Sequence, residues 1–156
     1  MTRASTDRAR TRKTVLVVDD DESLRRVVEY NLQEEGYRVL TAVDGPEGWR
    51  QFQAETVDLV LTDVRMPEMD GIELLTRLKA MQPDLPVIML TAHGTIDSAV
   101  DAMKLGASDY LTKPFNRDQL KAAVLKALEV AELTRENRHL REVIADRLSF
   151  ANMIAG

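Results

Sequence analysis

Cysteine is absent from the 156-residue sequence. Its absence excludes a disulfide framework and thiolate chemistry, and it fits a reducing compartment. No apolar run is long enough to cross a bilayer. Arg3, Arg8, Arg10, Arg12 and Lys13 crowd the first stretch, but the apolar core of a signal peptide is missing there. Residues 1–13 are expected to form a disordered basic leader, with a nucleic-acid arm as the sharper alternative, and the chain is expected to be cytoplasmic. A surplus of positive charge is also lacking: the net charge is −5, which disfavours general binding to nucleic acid. The glycine-rich pattern that ends in Lys and Ser or Thr is missing, so no nucleotide site of that kind is expected. Glycine and proline are both absent from Asn116 to Ala155, so nothing in that stretch interrupts a helix.

What is present is a regular alternation, in a chain long enough to bury a sizeable core. Strand candidates are Val15–Asp19, Tyr37–Ala42, Val57–Thr62, Pro86–Thr91 and Ser108–Leu111. Three of them are continuous apolar runs, as strands buried on both faces require. Between them lie helix-period segments. Leu24, Val27, Val28 and Leu32 share one face, closed by Gly36. Trp49 and Phe52 mark a second helix behind Asp44, with Pro46 in its first turn. Ile72, Leu75 and Leu78 mark a third, after Asp70 as a cap and Gly71 as a point of backbone freedom. Ile96, Ala99, Val100 and Met103 mark a fourth, ended by Gly106. Five βα units in series call for an α/β fold: a doubly wound parallel sheet with helices on both faces and right-handed crossovers.

The last helix has two rhythms. Asn116 and Gln119 have capping-box spacing at its start, and Leu120, Val124 and Leu128 can pack on the sheet. Beyond them Val130, Leu133, Asn137, Leu140 and Ile144 follow alternating steps of three and four. Val, Asn and Ile stand at one seam position and Leu at the other, which suits a parallel two-stranded coiled coil whose lone Asn sets register. Glu136 and Arg141 flank the seam where they can pair between helices. The alternative is a single helix laid on its own domain.

The stretch VLVVDDDE, Val15 to Glu22, runs an apolar strand into three aspartates. In an open parallel sheet, ligands bind beyond the carboxyl ends of the strands. The first candidate ends in Asp19-Asp20-Asp21, the third in Thr62-Asp63, the fourth in Thr91-Ala92 and the fifth runs on to Thr112-Lys113-Pro114. Carboxylates, a hydroxyl and an ammonium therefore gather at one edge. Oxygen donors without His or Cys suit magnesium. A carboxylate can accept a phosphoryl group, and a lysine and a threonine can hold its oxygens. Phosphoryl transfer needs chiefly positioning and charge neutralisation.

The motifs VLVVDDDE, LTDVRMPEMDG, VIMLTAHG and DYLTKPF resemble, in order and spacing, the receiver domain of bacterial two-component response regulators, over about residues 14–130. The resemblance implies a flavodoxin-like (βα)5 fold with strand order 2-1-3-4-5 and an extended C-terminal helix. It implies Asp63 as phosphoacceptor, Asp20 as direct Mg2+ ligand, Asp19 as the acid behind a metal-bound water, and the backbone carbonyl of Arg65 as a further ligand. It implies Thr91 as the switch hydroxyl, Lys113 as the phosphoryl contact, a cis Pro114, and Tyr110 as an aromatic switch residue. Arg65 and His93 stand where the family varies phosphoryl lifetime. Plain packing is the alternative for Tyr110, and a solvated loop the alternative for His93. Asp21 needs no metal role and is read as a helix cap. His139 is read as a surface residue.

The C-terminal stretch ELTRENRHLREVI, then RLSFANMIAG, resembles the linker of nitrogen-regulator-C-class, sigma-54-dependent transcription activators. By that resemblance residues 14–130 are the receiver, 131–148 a coiled-coil linker and 149–156 the first residues of an AAA+ ATPase domain, with a DNA-binding domain elsewhere in the whole protein. The implied function is a phosphorylation-dependent switch driven by a sensor histidine kinase. It catalyses only its own phosphorylation and dephosphorylation, and it signals through a homodimer. A stand-alone receiver, a phosphorylation-independent interaction module and a magnesium-dependent phosphotransferase are the alternatives. Direct contact with nucleic acid or membrane is not expected of this chain.

Overall fold

The computed structural model describes residues 12–92 and 96–155. Residues 1–11 of the expected leader and His93 lie outside the described residues, as do the side chains of Ile96, Ala99 and residues 150–156. Strands and helices alternate as β1 (Thr14–Val18), α1 (Glu22–Glu34), β2 (Arg38–Ala42), α2 (Gly45–Ala54), β3 (Leu59–Asp63), α3 (Gly71–Met81), β4 (Val87–Thr91), α4 (Ile96–Lys104), β5 (Asp109–Thr112) and α5 (Arg117–Ala155). The strands pair in parallel in the order β2-β1-β3-β4-β5.

β1, β3 and β4 are buried at every position, which is why they read as continuous apolar runs. Alternate residues of these strands feed two separate cores. Leu16, Val18, Val60, Val87 and Met89 pack with Phe52 of α2, Leu74, Leu75 and Leu78 of α3 and Ala102 of α4. Val15, Val17, Leu59, Leu61, Ile88 and Leu90 pack with Val28 and Leu32 of α1 and with Leu120, Val124 and Leu128 of α5. Each such Leu or Val adds about 1.5–3 kcal/mol relative to an exposed one. β2 and β5 are the half-exposed edges.

Element boundaries shift by one or two residues from the sequence reading. Asp19 lies just past β1, although its N–H still donates to Ala42 O at 3.1 Å. Val57 is buried but precedes β3, because Asp58 closes the entry by exchanging bonds with the backbone of Thr14. Helix starts fall where their caps do. The carboxylates of Asp21, Asp44 and Asp70 accept from the N–H groups of Leu24 at 3.2 Å, Glu47 at 2.9 Å and Glu73 at 2.8 Å. Asn116 and Gln119 bond reciprocally at 2.8 and 2.9 Å, completing the capping box of α5. Gly36 (φ 93°) and Gly106 (φ 105°) end their helices in the left-handed region, where a side chain is strained.

Gly71 corrects the sequence reading. It is not a left-handed turn residue; it is a point of close approach. A Cβ there would lie 2.1 Å from Asp63 O and 2.9 Å from Val64 Cα, both backbone atoms. Its N–H donates to Val64 O at 2.8 Å. The start of α3 is thus pressed against the end of β3.

α5 is 39 residues long, roughly 58 Å at a rise of about 1.5 Å per residue. It leaves the core after Ala131. Val130, Leu133, Leu140 and Ile144 are 52–64% exposed, and Asn137 is exposed among them. The seam is therefore not laid on its own domain. A different side of the helix is tied to the body by Arg138, which ion-pairs with Asp84 at 2.8 Å.

Gly71→Ala should cost about 3 kcal/mol of stability in urea unfolding, because fixed backbone blocks the new methyl. Asp70→Ala should cost about 1 kcal/mol, the loss of one cap. A Gly71→Ala protein as stable as the wild type would contradict the close approach.

Candidate functional site

The parallel sheet brings every strand's carboxyl end to one edge, and the chain reverses its winding between neighbours β1 and β3. A crevice at such a switch point is where ligands bind in this architecture. Asp19 and Asp20 follow β1, and Asp63 closes β3. Carboxylate oxygens of these three residues lie within 4.8 Å of one another.

Asp19 is fully buried. Its Oδ1 accepts from the Asp21 N–H at 2.9 Å and its Oδ2 from Lys113 Nζ at 2.9 Å. Lys113 Nζ also lies 3.3 Å from Asp63 Oδ2, and only 18% of the lysine side chain is exposed. That placement rules out a solvated surface lysine. Lys113 reaches the cluster from beyond the edge strand β5: its N–H donates to Thr91 O at 2.7 Å, and a cis bond joins it to Pro114. Asp63 Oδ1 meets the Arg65 N–H at 3.4 Å. Asp20 is the exposed member of the acidic set.

The charges do not balance. Burial pushes the Asp63 carboxyl upward, and the neighbouring Asp19 pushes it further; Lys113 and the Arg65 N–H pull it back without cancelling the rise. Burial would lower Lys113, but the carboxylates of Asp19 and Asp63 outweigh it and hold the ammonium raised. Three carboxylates against one ammonium leave a negative surplus in a partly buried crevice. Oxygen-only donors with that surplus suit a hard divalent cation, and the residues present fit Mg2+.

Thr91 ends β4, largely buried, one residue beyond the Leu90 that pairs with Asp63. Tyr110 is not brought to this cluster. It stands on edge strand β5 in register with Met89, and it is 43% exposed. Asp21 caps α1, as its position in the sequence indicated. Two residues contribute in ways the sequence did not reveal. Gly71 presses on the Asp63 carbonyl. Arg25, from the first turn of α1, donates to the backbone carbonyl of Asp19 at 2.7 Å.

A family model described as "Response regulator receiver domain" matches residues 15–125. The chain is 45% identical over 133 residues to the transcriptional regulatory protein GlrR of Escherichia coli K12, covering 85% of this chain and 30% of that protein. It is 41% identical over 142 residues to the C4-dicarboxylate transport transcriptional regulatory protein DctD of Pseudomonas aeruginosa, covering 91% of this chain and 31% of that one. The chain thus spans about 30% of the length of these curated relatives. The crystal structure of NtrX from Brucella abortus in complex with ADP superposes with a TM-score of 0.80 at 36% identity, covering 83% of this chain and 30% of that chain. A response regulator receiver domain protein from Clostridium thermocellum superposes with a TM-score of 0.74 at 36% identity, covering 78% of this chain and 98% of that one.

The raised Asp63 carboxyl has a consequence for stability without metal. The folded state holds this proton more tightly than the unfolded state. Stability therefore falls as pH rises from the ordinary carboxylate range through the raised value. In chelator at neutral pH, Asp63→Asn should melt above the wild type, and the wild type's decline across that window should shrink in the variant. A lower melting temperature for Asp63→Asn would show that Lys113 stabilises the ionised carboxylate more than burial and Asp19 penalise it.

Proposed function

The chain belongs to the response regulator receiver domain family, and on that premise we propose that Asp63 accepts a phosphoryl group from a sensor histidine kinase. The observation that carries this reading is the meeting of the Asp19, Asp20 and Asp63 carboxylates with the Lys113 ammonium at the switch point of the sheet. An Asp63 oxygen attacks phosphorus. A P–O bond forms, the bond from phosphorus to the donor's nitrogen or oxygen breaks, and an acyl phosphate results. Lys113, already beside Asp63 Oδ2, contacts a phosphoryl oxygen and offsets its charge. Thr91 donates its hydroxyl to another. Asp19, Asp20, Asp63 and the carbonyl of Arg65 hold Mg2+, which supplies charge neutralisation at the reacting oxygens. The chemistry is confined to phosphorylation and dephosphorylation of Asp63 itself, so the chain acts as a switch and not as an enzyme on a separate substrate.

The output follows from α5. Phosphorylation moves Thr91 and turns Tyr110 inward from its exposed position, and the change travels along the helix. A phosphoryl group acts only through its different affinity for two states. The exposed seam Val130, Leu133, Asn137, Leu140 and Ile144 forms a homodimer before phosphorylation, which then weakens or rearranges it. The whole protein is a cytoplasmic sigma-54-type transcription activator in which this chain governs AAA+ and DNA-binding domains. The transcription-regulator names of the relatives support that reading.

Intact mass after treatment with acetyl phosphate tests the chemistry. The wild type should gain one phosphoryl group only with Mg2+, and Asp63→Asn should gain none. Lys113→Ala should react about a hundredfold more slowly, the scale of one lost charge-stabilising donor. Equal uptake by Asp63→Asn would sink the assignment. Light scattering tests the seam: the wild type should dimerise, and Leu133→Glu with Leu140→Glu should be monomeric with phosphoryl uptake intact. A monomeric wild type would refute the resting dimer.

A further inference from the structure

Asp20 is exposed, so packing does not set its direction. Its backbone must. The peptide bond that joins Asp19 to Asp20 is a rigid plane whose orientation decides how the two side chains leave the chain. Three bonds bear on that plane. On the near side, the Asp19 N–H donates to Ala42 O at 3.1 Å. On the far side, the Asp21 N–H donates to Asp19 Oδ1 at 2.9 Å. The carbonyl of the plane itself, Asp19 O, accepts from Arg25 at 2.7 Å. This last bond is short and charge-assisted, the stronger kind. It comes from a rigid element: the Arg25 N–H is itself held by Asp21 O at 2.9 Å in the first turn of α1. By contrast Arg26, one residue on, is exposed and pairs with Glu22 at 2.7 Å on the outer face of the helix.

We propose that Arg25 is a positioning residue: by holding the Asp19 carbonyl, it fixes the Asp19–Asp20 peptide plane and so presets Asp20 for the divalent cation. The inference rests on the reading of Asp19, Asp20 and Asp63 as magnesium ligands. It makes a prediction opposite to simple electrostatics. A guanidinium close to a cation site repels the cation, so deleting its charge alone would tighten binding. Losing the bond that orients a ligand weakens binding, on the scale of about 10–100-fold for groups that support metal ligands.

The experiment is a calorimetric titration of Mg2+ into the wild type, Arg25→Met and Arg26→Met. It is run at a temperature where circular dichroism shows each protein fully folded, so a loss of stability alone leaves affinity unmoved. Arg25→Met keeps most of the apolar stem and loses the donor. It should bind Mg2+ at least about tenfold more weakly than the wild type, with Arg26→Met unchanged. Binding by Arg25→Met as tight as the wild type's, or tighter, overturns the positioning role while leaving the metal reading intact. A wild type that binds no Mg2+ overturns both. If Arg25→Met does not fold, Arg25→Gln is titrated against the same outcomes.

Discussion

Lys113 between Asp19 and Asp63 is the interaction on which the functional edge depends. One ammonium serves two carboxylates at 2.9 and 3.3 Å, and a third carboxylate, Asp20, stands beside them. The crevice is too buried for water to screen this charge fully, and too acidic for one lysine to neutralise it. The raised Asp63 carboxyl is the direct expression of that imbalance. A site with unrelieved negative charge favours a proton, a divalent cation, or a cation together with a phosphoryl group. Under the proposed function their exchange makes the switch, because each changes what the surrounding groups must neutralise.

The rest of the fold holds these charges where repulsion alone would scatter them. Parallel strands bring their carboxyl ends to one edge, and buried β1 and β3 stand side by side there. The caps Asp21 and Asp70 start α1 and α3 within a few residues of the clustered carboxylates. Gly71 lets α3 press directly on the backbone of Asp63, and the Arg25 guanidinium secures the carbonyl of Asp19. Lys113 arrives from the far side of β4, tied to Thr91 O. Asp21, Asp70, Gly71 and Arg25, none of them in the charged cluster, thus hold the backbone from which its side chains extend.

Much of this was legible in the sequence because it is local. Strand cores such as VLVV show as continuous apolar runs since both faces of β1, β3 and β4 are covered. Caps show because Asp and Asn at a helix start bond two or three residues ahead, which spacing alone reveals. The candidate site was legible because polar residues following apolar runs must share one sheet edge. What escaped is long-range or depends on side-chain reach. Nothing about the letters D-G distinguishes a flexible Gly71 from one jammed against Asp63 O. Arg25 and Arg26 are adjacent and identical, yet one turns inward to Asp19 and the other outward to Glu22. Tyr110 reads as a switch residue, with plain packing as the alternative; its exposed ring on β5 speaks against packing. The seam of α5 was visible as a rhythm, but its exposure appears only when the buried core is seen to end at Ala131.

The central claim is that the negative surplus at the switch point makes Asp63, and not its neighbours, the residue that carries the phosphoryl group. The most direct test is to treat the wild type with acetyl phosphate and Mg2+, reduce the acyl phosphate with borohydride, and map the product by peptide mass. Reduction should convert Asp63 to homoserine and leave Asp19 and Asp20 as aspartate. Homoserine at Asp20, with Asp63 untouched, would contradict the claim.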